Sequence, residues 1–118
     1  MKGFVPDEIN PGAKIVFLAQ NPGEREEELG VPLCGRTGKI VEGNIEKYGF
    51  WRKDCSFLNV LKCRWGHKDQ VPMGVATTEA IEHCRQYLQE SLAMVTVVPP
   101  NVFVPLGDYG LEALTGFN

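Results

Sequence analysis

Three short, nearly continuous apolar runs stand out in the pattern of hydrophobic and polar positions along the chain. Such a run is typical of a strand buried on both faces of a parallel sheet. The three predicted strands span residues 14–19, 56–61 and 101–106. Pro105 falls near the end of the third run, where proline is tolerated because the strand is about to stop.

Helical periodicity fills the intervals between these runs. The first helix is predicted to begin at the cap Thr37 and to end at Gly49. Its apolar side consists of Ile40, Val41, Ile45 and Tyr48. A longer helix over residues 78–94 has apolar positions three and four apart, as a helix packed on a sheet requires. This stripe consists of Ile81, Cys84, Leu88, Leu92 and Val95. Asp108 is predicted to cap a third, short helix.

The regular alternation of strands and helices indicates the fold class. It predicts an α/β fold, a three-layer α/β/α domain with a short central parallel sheet. We expect one domain over residues 1–118, incomplete at both ends, because three parallel strands are few for this class. Residues 65–77 are predicted to form a long loop, which in compact domains is often functional.

Composition excludes several classes of protein. Of the 118 residues, 43% are apolar and 23% are charged, the balance of an ordinary globular domain. No apolar run approaches the roughly 20 residues that span a bilayer, and the N-terminus lacks the apolar core of a secretory signal. We therefore expect a cytoplasmic protein without a membrane partner.

Charge is distributed unevenly along the chain. The net charge is −3, yet residues 34–68 contain eight basic and three acidic residues. A local positive region on an acidic body favours a face that binds an anionic ligand. A solvated surface with chance clustering is the alternative.

Four cysteines, Cys34, Cys55, Cys63 and Cys84, are too few and too widely spaced for a secreted disulfide framework. No Cys-x-x-Cys pair occurs, so the common zinc and redox motifs are absent. On spacing alone, each cysteine is interpreted as a small buried apolar residue.

Candidate binding segments follow from the predicted topology, because ligands of open α/β sheets bind beyond the carboxyl ends of the strands. The segments at those ends are residues 19–23, 59–64 and 106–108. Asn59 lies within apolar surroundings, so its amide either bonds a neighbouring loop or reads a ligand. Residues 35–38 open a helix, whose free N–H groups could bind phosphate.

Taken together, these segments resemble the uracil-DNA glycosylase superfamily, most closely its iron–sulfur branch, family 4. Ala19–Gly23 sits where that family has Gly-Glu-(Ala or Gly)-Pro-Gly, and Asn59–Arg64 matches Asn-x-x-Lys-Cys-Arg. The other matching segments are Pro11–Phe17, Gly30–Lys39, Glu79–Leu88 and Leu106–Gly107. The order and spacing of the segments, rather than any one of them, make the resemblance specific.

The resemblance implies an enzyme that binds uracil-containing DNA, flips the uracil out of the stack and hydrolyses its N-glycosidic bond. It implies that Gln20 and Asn21 hold the attacking water. The substrate-binding residues that it implies are Pro22, Gly23, Leu33 and Asn59, with Asn59 pairing with the uracil edge. The DNA-binding residues that it implies are Gly35, Arg36, Gly38, Lys62 and Arg64.

The resemblance also implies a [4Fe–4S] cluster, of whose four thiolate ligands only Cys63 and Cys84 have counterparts here. The family's upstream cysteine pair and its C-terminal His-Pro-Ser loop, whose histidine stabilises the departing uracil anion, have no counterpart. Gln20 replaces a glutamate, and Leu33 replaces an aromatic ring that stacks on the base. His67 and His83 lie outside the context of the catalytic histidine.

These departures lead to an expectation of weak or no excision by the 118-residue chain and of a cluster that is absent or easily lost. We also expect a monomer. Two alternatives remain open at this stage. One is a non-catalytic nucleic-acid-binding remnant of the same fold. The other is a phosphate- or nucleotide-binding α/β fragment that uses residues 35–38.

Overall fold

A computed structural model describes residues 4–62 and 78–107 of the chain. The strands are β1 (Ile15–Ala19), β2 (Cys55–Asn59) and β3 (Val102–Pro105). The helices are α1 (Glu24–Leu29), α2 (Arg36–Glu46) and α3 (Thr78–Val95), and a 3-10 turn over Arg52–Asp54 precedes β2. The predicted helix after Asp108 and the predicted loop over residues 65–77 lie outside the described residues.

The three strands form one parallel sheet in the order β2–β1–β3. Each begins and ends within about two residues of its predicted bounds. The register pairs Ile15 with both Cys55 and Val102, and it pairs Ala19 with Asn59. The carboxyl ends of β1 and β2 therefore meet at one edge of the sheet.

Alternate side chains of the strands build a separate core on each face of the sheet. On the face covered by α3, the buried residues are Val16, Leu18, Leu58, Val60, Leu88 and Val95. On the face covered by α2, they are Phe17, Leu33, Val41, Ile45, Cys55 and Phe57. The predicted three-layer α/β/α arrangement is confirmed.

Helix α2 differs from its prediction in both its cap and its buried side. It begins at Arg36, with Gly35 rather than Thr37 as the N-cap. Its buried residues are Gly38, Val41 and Ile45, whereas Ile40 is 59% exposed and Tyr48 is 80% exposed. A glycine carries no apolar signal, so the sequence pattern could not indicate that the helix packs through it.

Helix α3 confirms the predicted stripe. Cys84, Leu88 and Val95 are buried, and Ile81 and Leu92 pack against the same core. Ser91 is also buried, although it was not expected to be. Nowhere in residues 4–62 and 78–107 does a helix combine the length and the apolar character that crossing a membrane would require.

Helix α1 was not predicted from the sequence. Its six residues include four glutamates and none of them is buried, so it has no apolar stripe to recognise. The helix ends at Gly30, which adopts a left-handed φ of 70° that glycine accepts at no cost.

A segment of the N-terminus, residues 4–10, lies along the outer edge of β2. Glu8 and Phe57 exchange both backbone hydrogen bonds, at 3.0 and 2.8 Å, in an isolated antiparallel bridge. The Asn10 side chain donates to the Cys55 carbonyl at 2.6 Å, and the Val5 N–H donates to the Lys62 carbonyl at 2.6 Å. An edge that would otherwise be open is thereby covered.

Candidate functional site

The loops that follow β1 and β2 run side by side at the carboxyl edge of the sheet. The Val60 N–H donates to the Ala19 carbonyl at 2.9 Å, and the Leu61 N–H donates to the Gln20 carbonyl at 2.8 Å. Gln20, directly after β1, and Asn59, the last residue of β2, therefore lie at the edge of the sheet where open α/β sheets bind ligands.

Asn59, the last residue of β2, carries the most informative side chain at this edge. The residue is 1% exposed, and its Nδ2 is buried with no hydrogen-bond partner among the described residues. An unpaired buried donor costs about 1–3 kcal/mol, a cost that folded proteins seldom bear without a function. Alternation along β2 places Asn59 on the face of Phe57, which is the face covered by α2.

The loop after β1 is held by short-range bonds. Asn21 Nδ2 donates to the Pro22 carbonyl at 2.8 Å, and Pro22 is fully buried. Gly23 is the N-cap of α1, and its N–H donates to Glu26 Oε1 at 2.9 Å. The four residues predicted to hold water and substrate, Gln20 to Gly23, form the short connection between β1 and α1.

Leu33 occupies an unusual backbone conformation directly before α2. Its φ is 46°, in the left-handed region that residues other than glycine rarely adopt. The residue is 5% exposed and belongs to the core on the α2 face. Gly38 permits this arrangement, because a Cβ built at position 38 would lie 1.9 Å from the Leu33 carbonyl oxygen.

Glu26 links the loop after β1 to the loop that contains Leu33. Besides accepting from Gly23, its carboxylate accepts hydrogen bonds at Oε2 from Cys34 N–H at 2.9 Å and Gly35 N–H at 2.7 Å. Burial opposes ionisation, but the N–H groups outweigh it and lower the pKa of Glu26 below its ordinary value of 4.5.

Arg52 holds the same loop from the other side. Its guanidinium donates to the Leu33 carbonyl at 2.7 Å and to the Pro32 carbonyl. It also pairs with Glu8 at 3.0 Å and lies 4.1 Å above the centroid of the Phe57 ring. The positively charged Arg52 thus binds the carbonyls of Pro32 and Leu33. The negatively charged Glu26 binds the N–H groups of the next two residues, Cys34 and Gly35.

Lys62 is not available for the predicted contact with DNA. Its side chain is 2% exposed, and Nζ donates to Asp7 Oδ2 at 2.6 Å and to the Asn59 carbonyl at 2.5 Å. A buried ammonium needs a paired carboxylate, and Asp7 supplies it. Lys62 therefore belongs to the interior below the site rather than to its surface.

The other residues predicted to contact DNA have different placements. Arg36 is exposed at the first turn of α2, whereas Gly38 is buried against Leu33. The Gly35 N–H is already bonded to Glu26, so it is not open to a phosphate. Arg64 lies outside the described residues.

The cysteines do not fit a four-thiolate cluster in the part of the chain that the structure describes, where no group of three metal-binding side chains occurs. Cys84 is buried against Leu61 on one side of the molecule, and its predicted partner Cys63 is outside the described residues. Cys55 lies in the core on the α2 face, where burial and then Asp54 raise its pKa to about 11. Burial and the charge of Glu26 raise the pKa of Cys34 as well.

Glu26, Arg52 and Asp7 were not identified from the sequence. Only Glu26 carried a usable signal, because a glutamate three residues after an N-cap is typical of a capping box. The hydrogen bonds of Arg52 and Asp7 join residues that are 19 to 84 positions apart along the chain. No local pattern indicates such contacts.

Comparison with known proteins identifies the family. A profile of the Uracil DNA glycosylase superfamily matches residues 6–117. Type-4 uracil-DNA glycosylases from Archaeoglobus fulgidus and Thermotoga maritima are each 34% identical to the chain, over 110 and 108 residues. These alignments cover 92% of this chain but 51% and 52% of those proteins, so the chain spans about half their length. On this match over most of its length, the chain belongs to the uracil-DNA glycosylase superfamily.

Proposed function

We propose that this chain contributes the base-reading part of a uracil-DNA glycosylase that acts on uracil-containing DNA. The observation that carries the proposal is the buried and unpaired Nδ2 of Asn59 at the carboxyl edge of the sheet. A flipped uracil offers a carbonyl acceptor at O4 and an N–H donor at N3. An asparagine amide can match both, through Nδ2 and Oδ1 respectively.

Such an amide also discriminates between bases. Cytosine presents an amino donor where uracil has O4, so it would face Asn59 Nδ2 donor to donor. Leaving buried polar groups of a site unpaired is what gives the strongest rejection of a wrong substrate. A fixed Asn59 would therefore select uracil over the cytosine from which it arises.

The reaction is a hydrolysis at C1′ of the deoxyribose. Water attacks C1′ while the C1′–N1 bond breaks, the base leaves as an anion, and a proton from the water restores neutrality. Gln20 and Asn21, on the loop after β1, are proposed to hold that water. Cys63 and Cys84 are proposed as two of the cluster ligands of the iron–sulfur branch.

The proposal extends to the cellular location and the oligomeric state of the protein. A monomer in the cytoplasm is consistent with an enzyme whose substrate is a single flipped base. Arg36, exposed at the start of α2, is the described residue best placed among those predicted to contact the DNA backbone.

The phosphate-binding alternative is disfavoured by one contact. Of residues 35–38, Gly35 already donates its N–H to the Glu26 carboxylate, which also accepts from the Cys34 N–H. A phosphate at the Gly35 N–H would have to displace that carboxylate, which is part of the same chain.

The test is excision from a labelled oligonucleotide that contains one uracil, detected by alkaline cleavage at the abasic site. It is run on the 118-residue chain and on protein with its native flanking sequence. Asn59→Ala is expected to lower kcat/KM by about 10²- to 10³-fold, as loss of one preorganised donor does. Asn44→Ala removes an exposed amide from α2 and should have no effect.

Two results would contradict the proposal. Absence of excision by both proteins, with DNA binding retained, would favour the non-catalytic remnant. Excision that Asn59→Ala leaves undiminished would remove Asn59 from the site.

A further inference from the structure

The outer edge of β2 changes its mode of pairing at Asn59. At Phe57, both backbone groups face the N-terminal segment and are paired by the backbone of Glu8. Because strand backbone groups repeat every second residue, Asn59 presents its N–H and carbonyl to the same edge. The residue opposite Asn59 in that antiparallel register is Pro6, since Glu8 pairs with Phe57.

Proline interrupts the ladder at this position. Pro6 has no N–H, so it cannot donate to the Asn59 carbonyl. Two side chains take over instead. Asp7 Oδ1 accepts from the Asn59 N–H at 3.1 Å, and Lys62 Nζ donates to the Asn59 carbonyl at 2.5 Å.

These two side chains also bind each other. Asp7 Oδ2 accepts from Lys62 Nζ at 2.6 Å and from Ser91 Oγ of α3 at 2.6 Å. The side chains of Asp7 and Lys62 are 3% and 2% exposed. A buried ion pair with further hydrogen bonds fixes the position of its partners more narrowly than an apolar contact would.

We infer that Asp7 and Lys62 are positioning residues that hold the Asn59 peptide, and with it the direction of the Asn59 amide that reads the base. The part of this inference that concerns reading of the base rests on the proposed function. The contacts of Asp7 and Lys62 with the Asn59 backbone do not depend on that function. Asp7 and Lys62 touch neither the base nor the sugar.

The arrangement explains why a charged pair lies beneath a strand end. An apolar pair would fill the same volume, but it would leave the N–H and carbonyl of Asn59 unpaired and free to tilt. A shift of about 1 Å in a positioned group can cost about 10²-fold in rate. The ion pair thus fixes the position of Asn59 rather than burying apolar surface.

The test compares variants of the whole protein. The double variant Asp7→Leu, Lys62→Met removes both charges and both side-chain bonds to the Asn59 backbone, and it avoids a lone buried charge. Ser91→Ala is the matched control, because it removes a contact with Asp7 in the same network but none with Asn59. Thermal unfolding confirms that each variant is folded at the temperature of the assay.

The first readout is the nitrogen-15 NMR signal pair of the Asn59 side-chain amide, identified by its loss in Asn59→Ala. We expect the signals to shift or broaden in the double variant and to stay in place in Ser91→Ala. The second readout is uracil excision. The double variant should lose about 10- to 100-fold in kcat with little change in KM, because contacts with the rest of the DNA are intact.

The inference and the proposed function fail in different ways. Asn59 amide signals that are unmoved in the folded double variant would overturn the positioning role. A wild-type protein that excises no uracil would overturn the proposed function, while the NMR comparison would still decide whether Asp7 and Lys62 position Asn59.

Discussion

Glu26 shows how one carboxylate can organise two loops. It accepts three backbone N–H groups, one from the turn after β1 and two from the start of α2. Because an ionised carboxylate is an acceptor only, both oxygens suit these donors. In a glutamine at this position, an NH₂ group would replace one of the two oxygens. That group would face a backbone N–H, and two donors cannot form a hydrogen bond.

Glu26→Gln is therefore expected to lower the free energy of unfolding at pH 7 by about 1–3 kcal/mol, measured by urea denaturation. The control Glu28→Gln alters an exposed residue that pairs with Arg25 at 3.6 Å, and it should cost less than about 0.5 kcal/mol. Equal effects of the two substitutions would contradict the role of Glu26.

The pH dependence of this effect follows from the lowered pKa of Glu26. A carboxyl group with a lower pKa in the folded than in the unfolded protein stabilises the fold above its unfolded value. That contribution is present above pH 4.5 and is lost as the pH falls through the folded value. The difference between wild type and Glu26→Gln should accordingly shrink on acidification below pH 4.5.

Helix α2 depends on a close approach that only glycine allows. The Leu33 carbonyl oxygen lies where a Cβ of residue 38 would be, whereas a Cβ at Gly43 of the same helix would meet nothing within 4 Å. The two glycines therefore provide a matched pair of positions within one element.

Gly38→Ala is expected to destabilise the protein by about 1–3 kcal/mol, because either Leu33 or the helix must move. Gly43→Ala is expected to stabilise it by about 0.5–1 kcal/mol through helix propensity. Thermal unfolding monitored by circular dichroism would measure both. A stabilising Gly38→Ala would show that α2 does not pack closely against Leu33.

The same elements show what the sequence could and could not predict. The strands were found within about two residues of their bounds, because an apolar run is a strong local signal. The predicted burial on both faces was wrong for β3, whose residues are only partly buried and whose Val102 is 45% exposed. The buried side of α2 was predicted only in part, since its closest contact is made by Gly38 rather than by an apolar side chain. The topology was enough to predict that the site lies at the ends of the strands. The roles of Arg52 and Asp7 could not be predicted, because their hydrogen bonds join residues far apart in the sequence, and a periodic pattern reports only on near neighbours.

At the scale of the whole molecule, the sheet separates Cys55 from Cys84. Cys55 lies in the core on the α2 face, whereas Cys84 is a residue of α3 and packs against Leu61. These two cysteines therefore cannot bind one cluster together.

Protein expressed from these 118 residues under anaerobic conditions should consequently bind fewer than four irons per chain, by colorimetric iron assay. Any iron that is bound should fall in Cys84→Ser and be unchanged in Cys34→Ala. Four irons retained in both variants would show that the cluster ligands are assigned wrongly.

Asp7 is synthesised long before the residues that it contacts. Its partners Asn59, Lys62 and Ser91 lie 52, 55 and 84 residues further along the chain. At a synthesis rate of 5–20 residues per second, Ser91 leaves the ribosome about 4 to 17 s after Asp7. Long loops also close late, since their entropy is lost before any contact compensates for it. The hydrogen-bond network around Asp7 is therefore complete only after Ser91 of α3 has been made.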